Sequence, residues 1–138
     1  MALPAYPAAL RWLMILCGIA IFIWLSPEDN SVLPVVLLSA VVTAVSMTHG
    51  VLRRWGGQTI AARYSWVLLP LWGAVLGGGT SLLTAVLMVL KDARHAHLYP
   101  DYPLTLITGM LARAPIWAVA GALAAFGVRL VLLYKSPI

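Results

Sequence analysis

Long apolar runs separated by short polar stretches dominate the chain. The runs are continuous rather than alternating, which favours helices over the strands of a β-barrel. They approach or exceed the roughly 20 apolar residues that a transmembrane helix needs. We therefore predict an all-α polytopic membrane protein with four transmembrane helices in a small bundle. Their expected bounds are residues 10–25, 32–52, 65–90 and 104–133.

The last apolar run can be divided in two ways. About 30 residues at 1.5 Å per residue exceed the thickness of a bilayer, and Pro115 offers a place for a kink or a helix start. One interpretation has a span over residues 104–126 with Arg113 inside the membrane. The other has a short interfacial helix over residues 104–112 and a span over residues 115–134. The sequence leaves both open.

The composition points to a membrane protein as well. Of the 138 residues, 62% are hydrophobic and 9% are charged, whereas a soluble domain has about 25% charged residues. Such a chain cannot cover itself with polar side chains, but as helices it can satisfy its backbone within lipid. We expect one transmembrane domain over residues 1–138, with the bilayer around it. The net charge of +5 then reflects orientation and not nucleic-acid binding.

The charged residues sort by loop, which predicts the orientation. If the N-terminus lies inside, the basic residues at the inner face are Arg11, Arg53, Arg54, Arg63, Arg129 and Lys135. The acids, all outside, are Glu28, Asp29, Asp92 and Asp101. Basic residues prefer the cytoplasmic side, so we expect both termini in the cytoplasm, and a bacterial cytoplasmic (inner) membrane as the location.

The polar stretch 91–103 is the first candidate for a site, and we predict that it forms a loop at the outer face. Its candidates for contact with a ligand or partner are Lys91, Asp92, Arg94, His95, His97 and Asp101. Imidazoles with nearby carboxylates suit zinc or copper. Histidines two residues apart point in opposite directions unless the backbone is extended. The alternative is therefore a solvated loop whose charges pair with one another or with a partner subunit.

A group of glycines makes the third run unusual for a helix. Its members are Gly73, Gly77, Gly78 and Gly79. Glycine weakens helices, and broken helices at mid-depth bind substrate in some transporters. The alternative is close packing, because small residues let helix backbones approach one another in a membrane. We favour packing, with Ala118, Gly121 and Ala122 as a matching face on the last helix.

Two single residues could also carry chemistry. Arg113 lies within or beside the bilayer, where a charge usually needs a partner. Asp92 or Asp101, a lipid headgroup or an acid from another protein could supply one. His49 could ligate a chlorophyll-type pigment, although a histidine bonded to a carbonyl or a headgroup is the simpler interpretation. It lies a membrane thickness away from the outer histidines, so they cannot share a haem iron.

Together these features predict the class of function. We expect no enzyme and no bound cofactor, because the sequence shows no catalytic set, phosphate loop or nucleotide motif. We predict an accessory or scaffold subunit of a larger membrane complex, for example a respiratory or photosynthetic one, or a homo-oligomer. One alternative is a small oligomeric transporter or channel that uses a helix break at Gly77–Gly79 together with Arg113. Another is a protein that binds a metal through His95 and His97, or a pigment through His49.

Overall fold

The computed structural model describes residues 2–95 and 99–134. Four α-helices follow one another in this part of the chain. They are α1 (Ala8–Trp24), α2 (Val32–Trp55), α3 (Ser65–His95) and α4 (Leu104–Tyr134). A short 3₁₀ helix, Ala62–Tyr64, leads into α3. The prediction of an all-α chain with four helices is confirmed.

Three of the described helices, α2, α3 and α4, are long and apolar enough to cross a membrane. α1 is also apolar but has only 17 residues. That length is at the lower end of the range of about 17–25 residues that spans a bilayer. The membrane character of the chain therefore rests on α2, α3 and α4.

The third helix extends beyond its predicted end at Leu90 and reaches His95. The polar residues 91–95, which the sequence assigned to the loop, therefore occupy the last turns of α3. Basic side chains are favourable there because the free carbonyls at a helix C-terminus carry partial negative charge. Of the residues assigned to this loop by the sequence, His97 lies outside the described part of the chain.

Neither the glycines nor Pro115 interrupts a helix. α3 is continuous through Gly77–Gly79, so the break expected under the transporter interpretation is not present. α4 is one helix of 31 residues with Pro115 inside it, close to the predicted bounds 104–133, so the interpretation with a separate short helix over residues 104–112 is wrong. Proline removes one backbone hydrogen bond, a loss that packed membrane helices tolerate. The glycines lie against α4 and α2, as described below.

The described helices pack in chain order, α1 on α2, α2 on α3 and α3 on α4, and the last pair is the most extensive. A buried core towards one end joins α2, α3 and α4. It consists of Val35, Ala85, Leu87, Met88, Tyr102, Ile107 and Met110. Further along α4 many large apolar side chains are exposed, among them Ile116, Val119 and Leu123, and no residue in its most apolar 18-residue stretch is buried.

The N-terminal segment lies beside the α2–α3 loop. The Leu3 N–H donates to the Gln58 carbonyl at 3.0 Å, and the Gly57 N–H donates to the Pro4 carbonyl at 3.3 Å. A Cβ at Gly56 would lie 2.4 Å from the carbonyl oxygen of Leu52, on its own helix. These contacts place the N-terminus and the α2–α3 loop at one end of the molecule, opposite the α1–α2 turn.

Candidate functional site

A buried lysine forms the centre of a cluster where the α1–α2 turn meets the α3–α4 loop. Lys91 is 0% exposed. Its Nζ donates to the Asp29 carbonyl at 2.5 Å and lies 4.5 Å from the ring centroid of Trp24. A buried ammonium is unfavourable unless dipoles or ring faces replace its water, and both do so here. We name Trp24, Asp29, Ser31, Lys91, Asp92 and Tyr102 the mouth cluster.

Tyr102 connects the parts of the mouth cluster. Its hydroxyl donates to the Ser31 carbonyl at 3.0 Å, and its backbone N–H donates to the Asp92 carboxylate at 2.9 Å. Its ring stacks on Trp24, with the centroids 6.4 Å apart. The side chain is 1% exposed. Tyr102 therefore joins the α3–α4 loop to the end of α1, to the α1–α2 turn and to the last turns of α3.

The Asp29 carboxylate orders the turn that leads into α2. It accepts hydrogen bonds from the Ser31 hydroxyl at 2.7 Å and from the Ser31 N–H at 2.9 Å. These bonds, assisted by the charge of Lys91, hold the pKa of Asp29 below its usual 3.8. The folded state thus favours the ionised carboxylate. This contribution to stability is present above the usual pKa and is lost as the pH falls through the lowered one.

Tyr102 gives the fold a dependence on alkaline pH. Burial, followed by the nearby charges of Asp29, Asp101 and Asp92, raises the pKa of Tyr102 from 10.0 to about 12. The folded state holds the phenol proton more tightly than the unfolded state, so stability falls as the pH rises through this interval. Measured by unfolding in detergent between pH 10 and pH 12, wild type should lose stability more steeply than Tyr102→Phe. Equal slopes would contradict the burial of this hydroxyl.

Replacing Lys91 with methionine should loosen the mouth cluster. The variant keeps most of the side-chain volume, but the Asp29 carbonyl keeps only the long 3.4 Å contact from the Tyr102 hydroxyl, so the free energy of unfolding should fall by about 1–3 kcal/mol. The matched control is Arg94→Met, because the Arg94 guanidinium is exposed and lies 5.4 Å from the ring centroid of Phe22. Exposed contacts of this kind contribute only about 0.5–1 kcal/mol. A larger loss in Arg94→Met than in Lys91→Met would contradict the central position of Lys91.

A contact between a histidine and an aspartate borders the mouth cluster. His95 Nδ1 contacts Asp101 Oδ2, and both side chains are 12% exposed. The pair joins the end of α3 to the following loop. The sequence proposed a metal site from His95, His97 and the nearby acids. With His97 outside the described residues, the remaining described His, Cys, Asp and Glu side chains form no group of three that could hold a metal ion.

The glycines bring the backbones of α3 and α4 into direct contact. A Cβ at Gly77 would lie 2.0 Å from the carbonyl oxygen of Trp117, and one at Gly73 would lie 2.1 Å from that of Gly121. By contrast, a Cβ at Gly78 would meet the Ala118 methyl at 3.4 Å, an ordinary contact. Gly73 and Gly77 therefore have no room for a side chain on the α4 side.

Gly79 faces α2, and polar groups add to the α3–α4 contact. A Cβ at Gly79 would lie 3.0 Å from the Thr43 methyl. The Ser81 hydroxyl donates to the Met110 carbonyl of α4 at 2.5 Å. The Thr80 and Thr84 hydroxyls bond within the helix, to the Leu76 and Thr80 carbonyls, each at 2.8 Å. The glycine stretch thus has two neighbours, one on each side of α3.

Arg113 is exposed on α4. The partners that the sequence offered from this chain are engaged elsewhere, because Asp92 accepts from the Tyr102 N–H and Asp101 pairs with His95. Within residues 2–95 and 99–134, no hydrogen bond, ion pair or ring contact involves Arg113. The Arg113 guanidinium thus lies exposed on an apolar helix face, without a partner among the described residues.

His49 lies half-buried towards the other end of α2. The ring of Tyr6, from the N-terminal segment, meets the imidazole edge-on with the centroids 5.5 Å apart. This ring covers one side of His49. A pigment at His49 stays a prediction, and it would have to bind beside Tyr6.

Basic and aromatic side chains pair at the end opposite the mouth cluster. Arg129 lies 5.4 Å from the ring centroid of Trp66, which joins the ends of α4 and α3. The Arg63 guanidinium donates to the Tyr64 hydroxyl at 3.1 Å. Such pairs are typical of the boundary between the hydrocarbon core and water.

Sequence reasoning missed the partners of Lys91. Neither Trp24 nor Tyr102 is among the residues that the sequence singles out, and no periodic pattern in the sequence links them to the lysine. One signal was available: a basic residue at the acidic face of a membrane protein, with two aromatics at the same depth on neighbouring elements.

Comparisons of the chain with protein-family models, curated proteins and solved structures found no match.

Proposed function

We propose that this chain is an integral membrane protein that serves as a non-catalytic accessory or scaffold subunit of a larger membrane complex, for example a respiratory or photosynthetic one. The observation that carries the proposal is the exposure of α4. Among the described helices it packs its backbone on α3 alone, and its most apolar stretch buries no residue. An apolar helix with one neighbour offers most of its circumference to lipid or to another protein.

The proposed orientation has four spans and both termini in the cytoplasm of a bacterial cell. The end that carries the N-terminal segment also carries Arg53, Arg54, Arg63 and Arg129, and the mouth cluster contains two of the acids. Excess basic residues favour the cytoplasmic side. α1, with 17 residues, rises about 25 Å along its axis, which suits a short span.

The mouth cluster supports a structural role for this end. The Lys91 ammonium is enclosed by Trp24, Tyr102 and the Asp29 carbonyl. The Tyr102 hydroxyl donates to a backbone carbonyl of the cluster, and the Asp92 carboxylate accepts from a backbone N–H of the cluster. A group that is satisfied internally is poorly placed to act on a substrate. The cluster instead fixes the two helical hairpins relative to one another, so that the chain presents rigid outer faces.

The other interpretations have less support. A transporter built on a helix break would need an interrupted α3, whereas that helix is continuous. The four acids of this chain lie in the loops or, for Asp92, in the last turns of α3, so none is at mid-depth of a span where it could exchange protons. A homo-oligomer remains compatible with an exposed α4, and the experiment below separates it from a subunit of a mixed complex.

Extraction from the native membrane in mild detergent tests the proposal. Native mass measurement should give a particle that contains other proteins in fixed ratio to the 14.8 kDa chain. Its mass should therefore not be explained by copies of this chain alone. A particle made only of copies of this chain would support the homo-oligomer. A free monomer after extraction in several mild detergents would contradict both.

A further inference from the structure

We infer that the Arg113 side of α4 binds a transmembrane helix of a different protein, and that this helix carries an aspartate or glutamate inside the bilayer. The inference rests on the proposed function and names the chemistry of the partner that such a subunit would contact. Four features support it. They are the depth of Arg113 along α4, the positions of the acids in this chain, the uncovered small residues beside Arg113, and the exposure of the Arg113 side chain.

Two markers give the depth of Arg113. The mouth cluster lies just before Leu104, the first residue of α4, and Arg129 packs on Trp66 at the other end. Arg113 is nine residues after Leu104 and sixteen before Arg129, or about 14 Å and 24 Å along the axis. A hydrocarbon core of about 30 Å centred between these markers places the Cα of Arg113 about 10 Å inside the outer boundary.

A cation at that depth is unfavourable and usually faces an anion. This chain cannot supply one. Its acids are Glu28, Asp29, Asp92 and Asp101, in the α1–α2 turn and around the α3–α4 loop. A second copy in the same orientation would carry its acids at the same outer level, and not beside Arg113. A carboxylate for Arg113 must therefore come from a different chain.

The surface beside Arg113 suits a helix. Residues that are three, four, seven or fourteen positions from Arg113 lie on the same side of α4 as Arg113. These residues are Gly109, Ile116, Ala120 and Gly127. A Cβ added at Gly109 or Gly127 would meet nothing within 4 Å. Small residues permit close approach of a second helix, and this side of α4 is free for one.

A lipid phosphate is the competing source of negative charge. Side chains on α4 tilt towards its N-terminus, which is the mouth end, so the guanidinium points towards the outer headgroups. An extended arginine covers only part of the distance to them, and the phosphate would have to enter the core. A carboxylate on a neighbouring helix needs no such distortion, and we therefore choose the helix.

The test compares wild type with Arg113→Gln and Arg53→Gln, each extracted from the native membrane and weighed by native mass spectrometry. Arg53 is an exposed cation at the end of α2 and serves as the matched control. We expect the co-purified partner to fall on the order of tenfold in Arg113→Gln, the scale of one interhelical polar contact, and to be unchanged in Arg53→Gln. Changing the acid in the partner's span to its amide should cause the same loss. Arg113→Glu combined with a partner acid changed to arginine should restore the complex.

Each other outcome overturns the inference in its own way. A partner retained by Arg113→Gln leaves the proposed function intact and removes the inference. If Arg113→Gln loses the partner but none of the partner's transmembrane spans contains an acid, the inference is likewise removed and the proposed function is left intact. Wild type that carries only a bound anionic phospholipid, absent from Arg113→Gln, assigns the charge to lipid and contradicts the proposed function too. Wild type that forms only a homo-oligomer also overturns the inference.

Discussion

Gly77→Ala is expected to separate α3 from α4 and to cause the larger loss of stability among the glycine variants. Its Cβ would lie 2.0 Å from the Trp117 carbonyl oxygen and 2.8 Å from the carbonyl carbon. Because these atoms are backbone, the helices themselves must move. Overpacking of this kind costs about 1–3 kcal/mol, and unfolding in detergent followed by helical circular dichroism measures it.

The neighbouring glycine provides the control. Gly78→Ala adds the same methyl group to the same helix, but its Cβ would meet the Ala118 methyl at an ordinary 3.4 Å. Alanine also favours a helix over glycine by about 1 kcal/mol, and this gain applies to both variants. Gly78→Ala should therefore be neutral or stabilising. Similar stabilities for the two variants would contradict the register of α3 on α4.

Tyr102→Ala is expected to cause the largest single loss in the mouth cluster. The side chain is 1% exposed, stacks on Trp24 and donates to the Ser31 carbonyl. Removal of a buried aromatic side chain costs about 3–5 kcal/mol. Lys91 would also lose one of the two rings beside its ammonium. Protease accessibility of the α1–α2 turn should rise together with the loss of stability.

Tyr99 supplies the matched control, because it lies three residues earlier in the same loop and is 82% exposed. Surface substitutions of this kind usually change stability by less than about 0.5 kcal/mol. Tyr99→Ala should leave both the unfolding transition and the protease pattern close to wild type. Comparable losses in Tyr99→Ala and Tyr102→Ala would show that Tyr102 does not hold the mouth cluster together.

The positions of the helices could be predicted because the apolar runs are long and continuous. The end of α3 could not, since polar residues from Lys91 to His95 look like a loop when their partners are unknown. Lys91 can remain helical and buried only because Trp24 and Tyr102, 67 positions earlier and 11 later, enclose it. Such a contact between distant segments has no periodic signal in the sequence.

The glycine stretch shows a second limit. Small residues predict that helices approach closely, but four glycines in one run do not reveal which of them faces which neighbour. The structure separates them: Gly73 and Gly77 meet α4, while Gly79 meets α2. The absence of a break at Gly77–Gly79 follows from these contacts, which compensate for the weak helix propensity of glycine.

The most direct test of the proposed role is photo-crosslinking in the native membrane from one position on α4. Val119 is suitable because it is 60% exposed in the apolar stretch of that helix, and Leu16 of α1, 56% exposed, is the reference position. If α4 contacts a partner subunit, a photoreactive residue at Val119 should give a discrete adduct with one other protein, at higher yield than at Leu16. Adducts with lipid alone at both positions would contradict the account.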